Sequence, residues 1–216
     1  MNRHRVRDGL TWVALGFGLA VPFLYYGLQA AAAPFFPSFS VVRTTASELG
    51  SDLSQHPSVF NSGIIGLGVV TIVTAVGFLV AFRRLGTYPL LSYLTATAVA
   101  LNGVQTIWAG VFPLPDPRHG GHPAFVLGML LLPLLLTLAI WNKSRSRLLK
   151  CYFLVTLFLL LGMVPIMSGA SGLDTSACRG LVQRVFTLAI FPPISVAAAV
   201  LVRRFNETAG SEFVSA

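Results

Sequence analysis

Residues 58–82 read SVFNSGIIGLGVVTIVTAVGFLVAF, and Arg83-Arg84 follow them directly. The stretch holds no charged side chain. As an α-helix its 25 residues would extend about 37 Å, enough to cross a hydrocarbon core about 30 Å thick. Inside lipid the backbone has no water to bond to, so a spanning segment satisfies its own N–H and C=O groups and is helical. The run therefore reads as a membrane helix closed by two arginines.

The same reading extends to the rest of the chain. Further apolar runs occur at 10–32, 90–112, 124–141, 151–170 and 181–202. The expected fold is an all-α, polytopic bundle of six transmembrane helices, forming one integral membrane domain over 1–216. Composition agrees: of 216 residues, 55% are hydrophobic and only 10% charged, against about 25% charged in a soluble domain. That excludes an ordinary soluble enzyme, a disordered chain and a collagen-like fibre. Two cysteines, Cys151 and Cys178, exclude a disulfide framework.

The basic residues orient the bundle. Arg3, Arg5, Arg7, Arg83, Arg84, Lys143, Arg145, Arg147, Lys150, Arg203 and Arg204 fall on one side of a six-span chain. Arg43, Arg118, Arg179 and Arg184 fall on or near the other. By the preference of Lys and Arg for cytoplasmic loops, both termini are expected in the cytoplasm of a cell membrane. The segments 33–57, 113–123 and 171–180 are then expected to face outward. The net charge of +8 is thus a topological signal, and nucleic acid is not an expected partner, since that needs a basic water-exposed face. A basic start followed by an apolar stretch and Ala30–Ala33 also resembles a signal peptide, but the stretch exceeds the usual core of about 7–15 residues.

Small residues (Gly16, Gly18, Ser62, Gly63, Gly66, Gly68) are expected to let helices approach closely, since contact and polar bonds hold helices together in lipid. Thr95, Asn102, Gln105 and Thr106 form a polar stripe on the third helix, bonded between helices or lining a cavity. Pro22, Pro133, Pro165 and Pro192-Pro193 sit inside helices, where each removes a backbone donor. The double proline is expected to break the sixth span. No acidic residue lies in any of the six cores, which weighs against ion-coupled transport.

Chemistry-capable residues gather in the outer loops. Thr45-Ala-Ser-Glu48 fits a capping box. A helix after it would align Glu48, Asp52 and His56 on one stripe, with Leu49 and Leu53 docking beside them. Asp116, His119 and His122 sit at three-residue spacing, a donor set suited to a divalent metal such as zinc. These histidines could equally serve as caps, or His56, His119 or His122 could act as a general base with Glu48, Asp52 or Asp116 as the carboxylate. Arg179 and Gln183 share a helix face, and Arg184 lies about one turn into the sixth span, where it needs a partner. An outer carboxylate or an anionic headgroup is the expected one.

In order along the chain, SELG (47–50), HPSVFNSGIIGLG (56–68), GVFPLPDPRHGGH (110–122) and GLVQRV (180–185) resemble the bacterial domain-of-unknown-function family 998. That family is similar to eukaryotic Frag/DRAM-like membrane proteins, some of which are associated with lipid remodelling or organisation. The resemblance implies six membrane helices with a polar outer mouth, and no established reaction. By position, Glu48, Asn61, His119, Gln183 and Arg184 match its polar residues. The leading expectation is a protein that binds or organises lipid or a membrane partner, a second copy included, through Asn61, Asn102, Gln105, Arg179, Gln183 and Arg184. The alternatives are an intramembrane lipid hydrolase or transferase, metal-dependent or not, and a small-solute transporter using the gap at Pro192-Pro193.

Overall fold

The structure, a computed structural model, describes residues 3–141 and 147–214, with side chains described over 8–141 and 147–207. Lys143 and Arg145, counted above among the orienting charges, lie outside the described residues. Seven α-helices follow in order: α1 (Arg3–Ala32), α2 (Pro57–Arg84), α3 (Pro89–Val111), α4 (Pro123–Trp141), α5 (Arg147–Met167), α6 (Arg179–Leu188) and α7 (Phe191–Val214). They make six segments long and apolar enough to cross a membrane, with α6 and α7 sharing the last. The chain is a multi-pass helical membrane protein.

Each helix packs on the next, and α7 closes back on α1 and α2. The core along this path is apolar, with Leu15, Phe78, Leu136, Leu160 and Ile194 all without exposed surface. Since α1 contributes Leu15 and Val21 to that core, the bundle is built around the first apolar run. Glycines set the tightest crossings. A Cβ at Gly18 would lie 2.7 Å from the Thr74 methyl and 2.9 Å from Ala198, so α1, α2 and α7 meet there. Gly16 and Gly66, by contrast, border open space, so those two of the small residues do not mark a helix contact.

The last span breaks at Ala189–Ile190. Their N–H groups donate to the Phe186 and Thr187 carbonyls at 3.1 Å each, which closes α6 in a tight turn. Pro192 and Pro193 fall in the first turn of α7, where a missing N–H costs no helical bond. The expected break is present, and it splits the single run 181–202 into two helices.

The first turns of α1 and the later part of α7 meet at one end of the bundle. There Asp8 pairs with Arg84, the Arg84 guanidinium sits 4.6 Å over the Phe205 ring, and Trp12 meets Phe205 edge-on at 6.1 Å. Lys150 stands 4.3 Å over Trp141 at the junction of α4 and α5. The long connections 36–56, 112–122 and 168–178 lie at the opposite end, here termed the loop end. Cys178 opens α6 there and Cys151 lies near the start of α5, so the two cysteines are far apart and both free.

Candidate functional site

The first long connection closes over the loop end through a local capping device. Thr45 N–H and Oγ1–H both donate to Glu48 Oε2, at 2.7 and 2.8 Å, and Glu48 N–H donates back to Thr45 Oγ1 at 3.2 Å. This is the reciprocal capping box that the sequence predicts. The helix it opens is only a 3-10 turn, Ser47–Gly50. Ser51 Oγ–H takes the Glu48 carbonyl at 2.7 Å, the acceptor that a continuing helix would offer to Asp52 N–H. Gly50 lies so close against Asn61 that a Cβ would collide with the amide oxygen, while Asn61 Nδ2 donates to the Gly50 carbonyl at 2.8 Å.

The expected stripe therefore does not form. Glu48 is buried, whereas Asp52 and His56 are exposed. Leu49 is 0% exposed and docks in the core, but Leu53 is 61% exposed and does not. His56 instead sets its ring edge-on to Phe35 at 5.0 Å.

Helix α6 supplies the partners of this connection. Arg179 Nη2 pairs with Glu48 Oε1 at 2.7 Å, and its Nε donates to the Arg43 carbonyl at 3.2 Å. One turn on, Gln183 Oε1 accepts from Ala46 N–H at 2.6 Å and Nε2 donates to Ser47 Oγ at 3.0 Å. Arg184 corrects an expectation. Among the described residues it meets no carboxylate; its Nη1 donates to the Val41 and Thr44 carbonyls at 2.6 and 2.8 Å. Connecting backbone with no ladder of its own needs donors for its carbonyls, and Arg184 provides them where α6 and the loop touch. Gly180 permits that approach, because any Cβ there would strike the Thr44 carbonyl.

The second connection is held by its own charges. Asp116 caps the 3-10 turn Pro117–Gly120 by accepting from Arg118 N–H at 2.8 Å. Arg118 Nε and Nη2 close on the two carboxylate oxygens at 2.9 and 2.6 Å. These bonds from Arg118 hold the Asp116 carboxyl down at about 2. Because the folded value lies below the unfolded one near 3.8, the turn gains stability above pH about 4 and loses it as the pH falls from there to about 2. Trp108 reports on it, since its indole N–H donates to the Arg118 carbonyl at 2.8 Å. Trp108 fluorescence should show an acid transition in this window that Asp116→Asn abolishes. A transition of equal size in the variant would show that Asp116 does not hold the turn.

The metal set expected here is not assembled. Both Asp116 oxygens face Arg118, and both His119 ring nitrogens are engaged, Nδ1 with the Phe112 carbonyl at 2.8 Å and Nε2 with Ser47 Oγ at 2.9 Å. His122 is exposed, and its Nδ1 accepts from Ala124 N–H at 3.2 Å, capping α4. Among the described residues no three His, Cys, Asp or Glu side chains lie close enough to share a metal ion. The three histidines do not converge.

The polar residues of α3 lie apart from this network. Asn102 is 3% exposed. Its Nδ2 and the Gln105 Oε1 have no hydrogen-bond partner, so neither makes the interhelical bond expected of it through that atom. Gly121, at φ +79°, passes directly over the Gln105 amide with no room for a side chain. Gln29 of α1, unmarked in the sequence reading, has both amide atoms buried without a partner.

What the loop end does assemble is Ser47, His119 and Gln183 on one side and Glu48 and Arg179 on the other, from segments far apart in the chain. In the sequence Ser47 stands only as an inner position of the Thr45–Glu48 box and as the first residue of SELG. No curated protein and no solved structure matches this chain. A family model described as a protein of unknown function (DUF998) matches residues 19–200, from within α1 into α7 and across all three connections at the loop end. The chain belongs to the DUF998 family.

Proposed function

We propose that this protein binds or organises lipid at the loop end of the bundle, in a cell membrane whose cytoplasmic side holds both termini. The distribution of Arg and Lys supports that orientation. Support for lipid comes from one observation above the rest, the setting of Arg179. Its Nε and Nη2 are fixed by the Arg43 carbonyl and by Glu48, yet 57% of the side chain is exposed. A guanidinium held in place with N–H groups to spare suits phosphate, which it binds through paired hydrogen bonds.

The surroundings have the mixed character of a headgroup region. Val41, Val42 and Leu173 are exposed apolar side chains on the same connections. Arg118 stacks 4.0 Å over Phe112, and Phe112 and Phe125 flank Trp108 at 4.6 and 5.8 Å. Aromatic and basic side chains together favour the membrane–water boundary.

The test is native mass spectrometry of the detergent-purified protein titrated with phosphatidylglycerol or phosphatidylcholine. Phosphatidylglycerol should be retained preferentially. Arg179→Met should bind it about tenfold more weakly, the worth of one charge-assisted hydrogen bond. Retention by Arg179→Met equal to that of the wild type would remove the basis of this reading.

A further inference from the structure

We propose that Ser47 and His119 form a nucleophile–base pair, and that the loop end transfers an acyl group from an ester through Ser47 Oγ. The hydrogen-bond partners assign the protons. The Phe112 carbonyl can only accept, so His119 Nδ1, 2.8 Å away, carries the ring hydrogen. In the neutral ring Nε2 then presents its lone pair to Ser47 Oγ at 2.9 Å.

Gln183 completes the orientation. Its Oε1 is fixed by the Ala46 N–H, so its Nε2 must face Ser47 Oγ and donate to it. With one lone pair of Oγ occupied by that donor, the hydroxyl hydrogen is directed at His119. A hydroxyl bonded to a base whose other nitrogen is held by a third group is the arrangement that activates serine toward carbonyls. Here a main-chain carbonyl fills the third role, and Gln183 is a positioning residue. Ser47 and His119 are both partly exposed. His56, His122, Asp52 and Asp116, the other candidates for base and carboxylate, take no part.

The step balances without an added oxidant or metal. Ser47 Oγ bonds to the ester carbonyl carbon while its proton passes to His119 Nε2. The carbon–oxygen bond to the alcohol then breaks, and the departing oxygen takes the proton from His119. Water, or a second alcohol, attacks the acyl-serine, gives its proton to His119 and releases the acid or new ester as Ser47 regains its hydrogen. A lipid ester as the natural reactant rests on the lipid-binding reading above; the activated serine does not.

The same bond could merely tie the first connection to the second, and the experiment separates the two roles. The full-length protein in detergent is treated with an alkyl fluorophosphonate and, separately, with 4-nitrophenyl butyrate. Mass mapping should find the phosphonyl adduct on Ser47, and Ser47→Ala should lose both adduct and ester hydrolysis. His119→Gln can still accept from the Ser47 hydroxyl through its amide oxygen but cannot take a proton. It should keep the wild-type unfolding temperature to within a few degrees and react about 100-fold more slowly or worse, the usual worth of a general base. An unmodified Ser47 in the wild type overturns the proposal whatever the variants do. So does a His119→Gln protein labelled at the wild-type rate. A labelled Ser47 in a protein that retains no phosphatidylglycerol leaves the pair standing and removes only the lipid reading.

Discussion

Gly68→Leu should prevent the bundle from folding, and Gly68→Ala should cost about 1–3 kcal/mol, the usual penalty of overpacking a tight contact. At this crossing α2 and α3 touch backbone to backbone. A Cβ on Gly68 would stand 2.5 Å from the Gly103 carbonyl oxygen, and a Cβ on Gly103 would stand 2.7 Å from the Gly68 carbonyl oxygen. The contact repeats one step along the seam, where a Cβ on Gly110 would meet the Asn61 carbonyl oxygen at 2.9 Å. Positions 61 and 68 on one helix and 103 and 110 on the other are seven residues apart, two turns of helix, so they line one face each. A side chain there cannot swing aside from a carbonyl, and parting the helices forfeits contacts along the seam. In lipid those contacts carry the association, because no water is expelled when helices meet. Gly66→Ala provides the comparison within the same helix. It borders open space and should be neutral or stabilising by up to about 1 kcal/mol, the helix preference for alanine. Thermal unfolding in detergent reads the two alanine variants, and the lack of any folded fraction reads Gly68→Leu. If Gly68→Ala melts with Gly66→Ala, the helices do not meet where the structure places them.

The contrast between Gly66 and Gly68 also marks how far the sequence can be read. Six spans follow from the length of the apolar runs, because membrane thickness and backbone bonding leave a helix few alternatives. The break before Pro192-Pro193 follows from the chemistry of proline alone. Which glycine faces a neighbour depends on the rotation of each helix about its own axis. The pattern S-G-x-x-G-x-G at 62–68 offers several faces, and only packing chooses among them.

At the loop end the capping box at Thr45 and Glu48 was legible because its bonds run between residues three apart. The end of that turn was not, since it depends on Ser51 and on the contact between Gly50 and Asn61. Arg184 needed a partner by its depth, but backbone carbonyls leave no mark in a sequence and cannot be matched to it by residue type. Ser47 met His119 across 72 positions, with prolines shaping the second connection between them. No local spacing could have joined the two.

Glu48→Ala should cost about 3 kcal/mol, at the low end for breaking a buried ion pair because Arg179 recovers water on its exposed side. The carboxylate is 7% exposed as a residue and receives three bonds: two from Thr45 and one from Arg179. Removing it takes away the carboxylate that ties the start of the 3-10 turn to α6. Ser47 follows Glu48 out of place, so hydrogen exchange should rise across 45–54 while the α2–α3 seam stays protected. Arg179→Met should cost a similar amount, because the buried Glu48 carboxylate keeps both bonds from Thr45 but loses its counter-charge. The pair is then tested as a double-mutant cycle. Contacting charges in one network show coupling of about 0.5–3 kcal/mol, so the double variant should be less destabilised than the two single changes added together. Strict additivity would mean that Glu48 acts through Thr45 alone, and α6 would be held to the first connection by Gln183 and Arg184 without help from the ion pair. Coupling means that Glu48 holds the Arg179 guanidinium through Nη2 while the rest of the side chain stays exposed. The strength of that ion pair then sets how firmly Arg179 keeps the exposed position proposed above for headgroup binding, and how firmly Ser47, next to Glu48 in the chain, stays in line with His119.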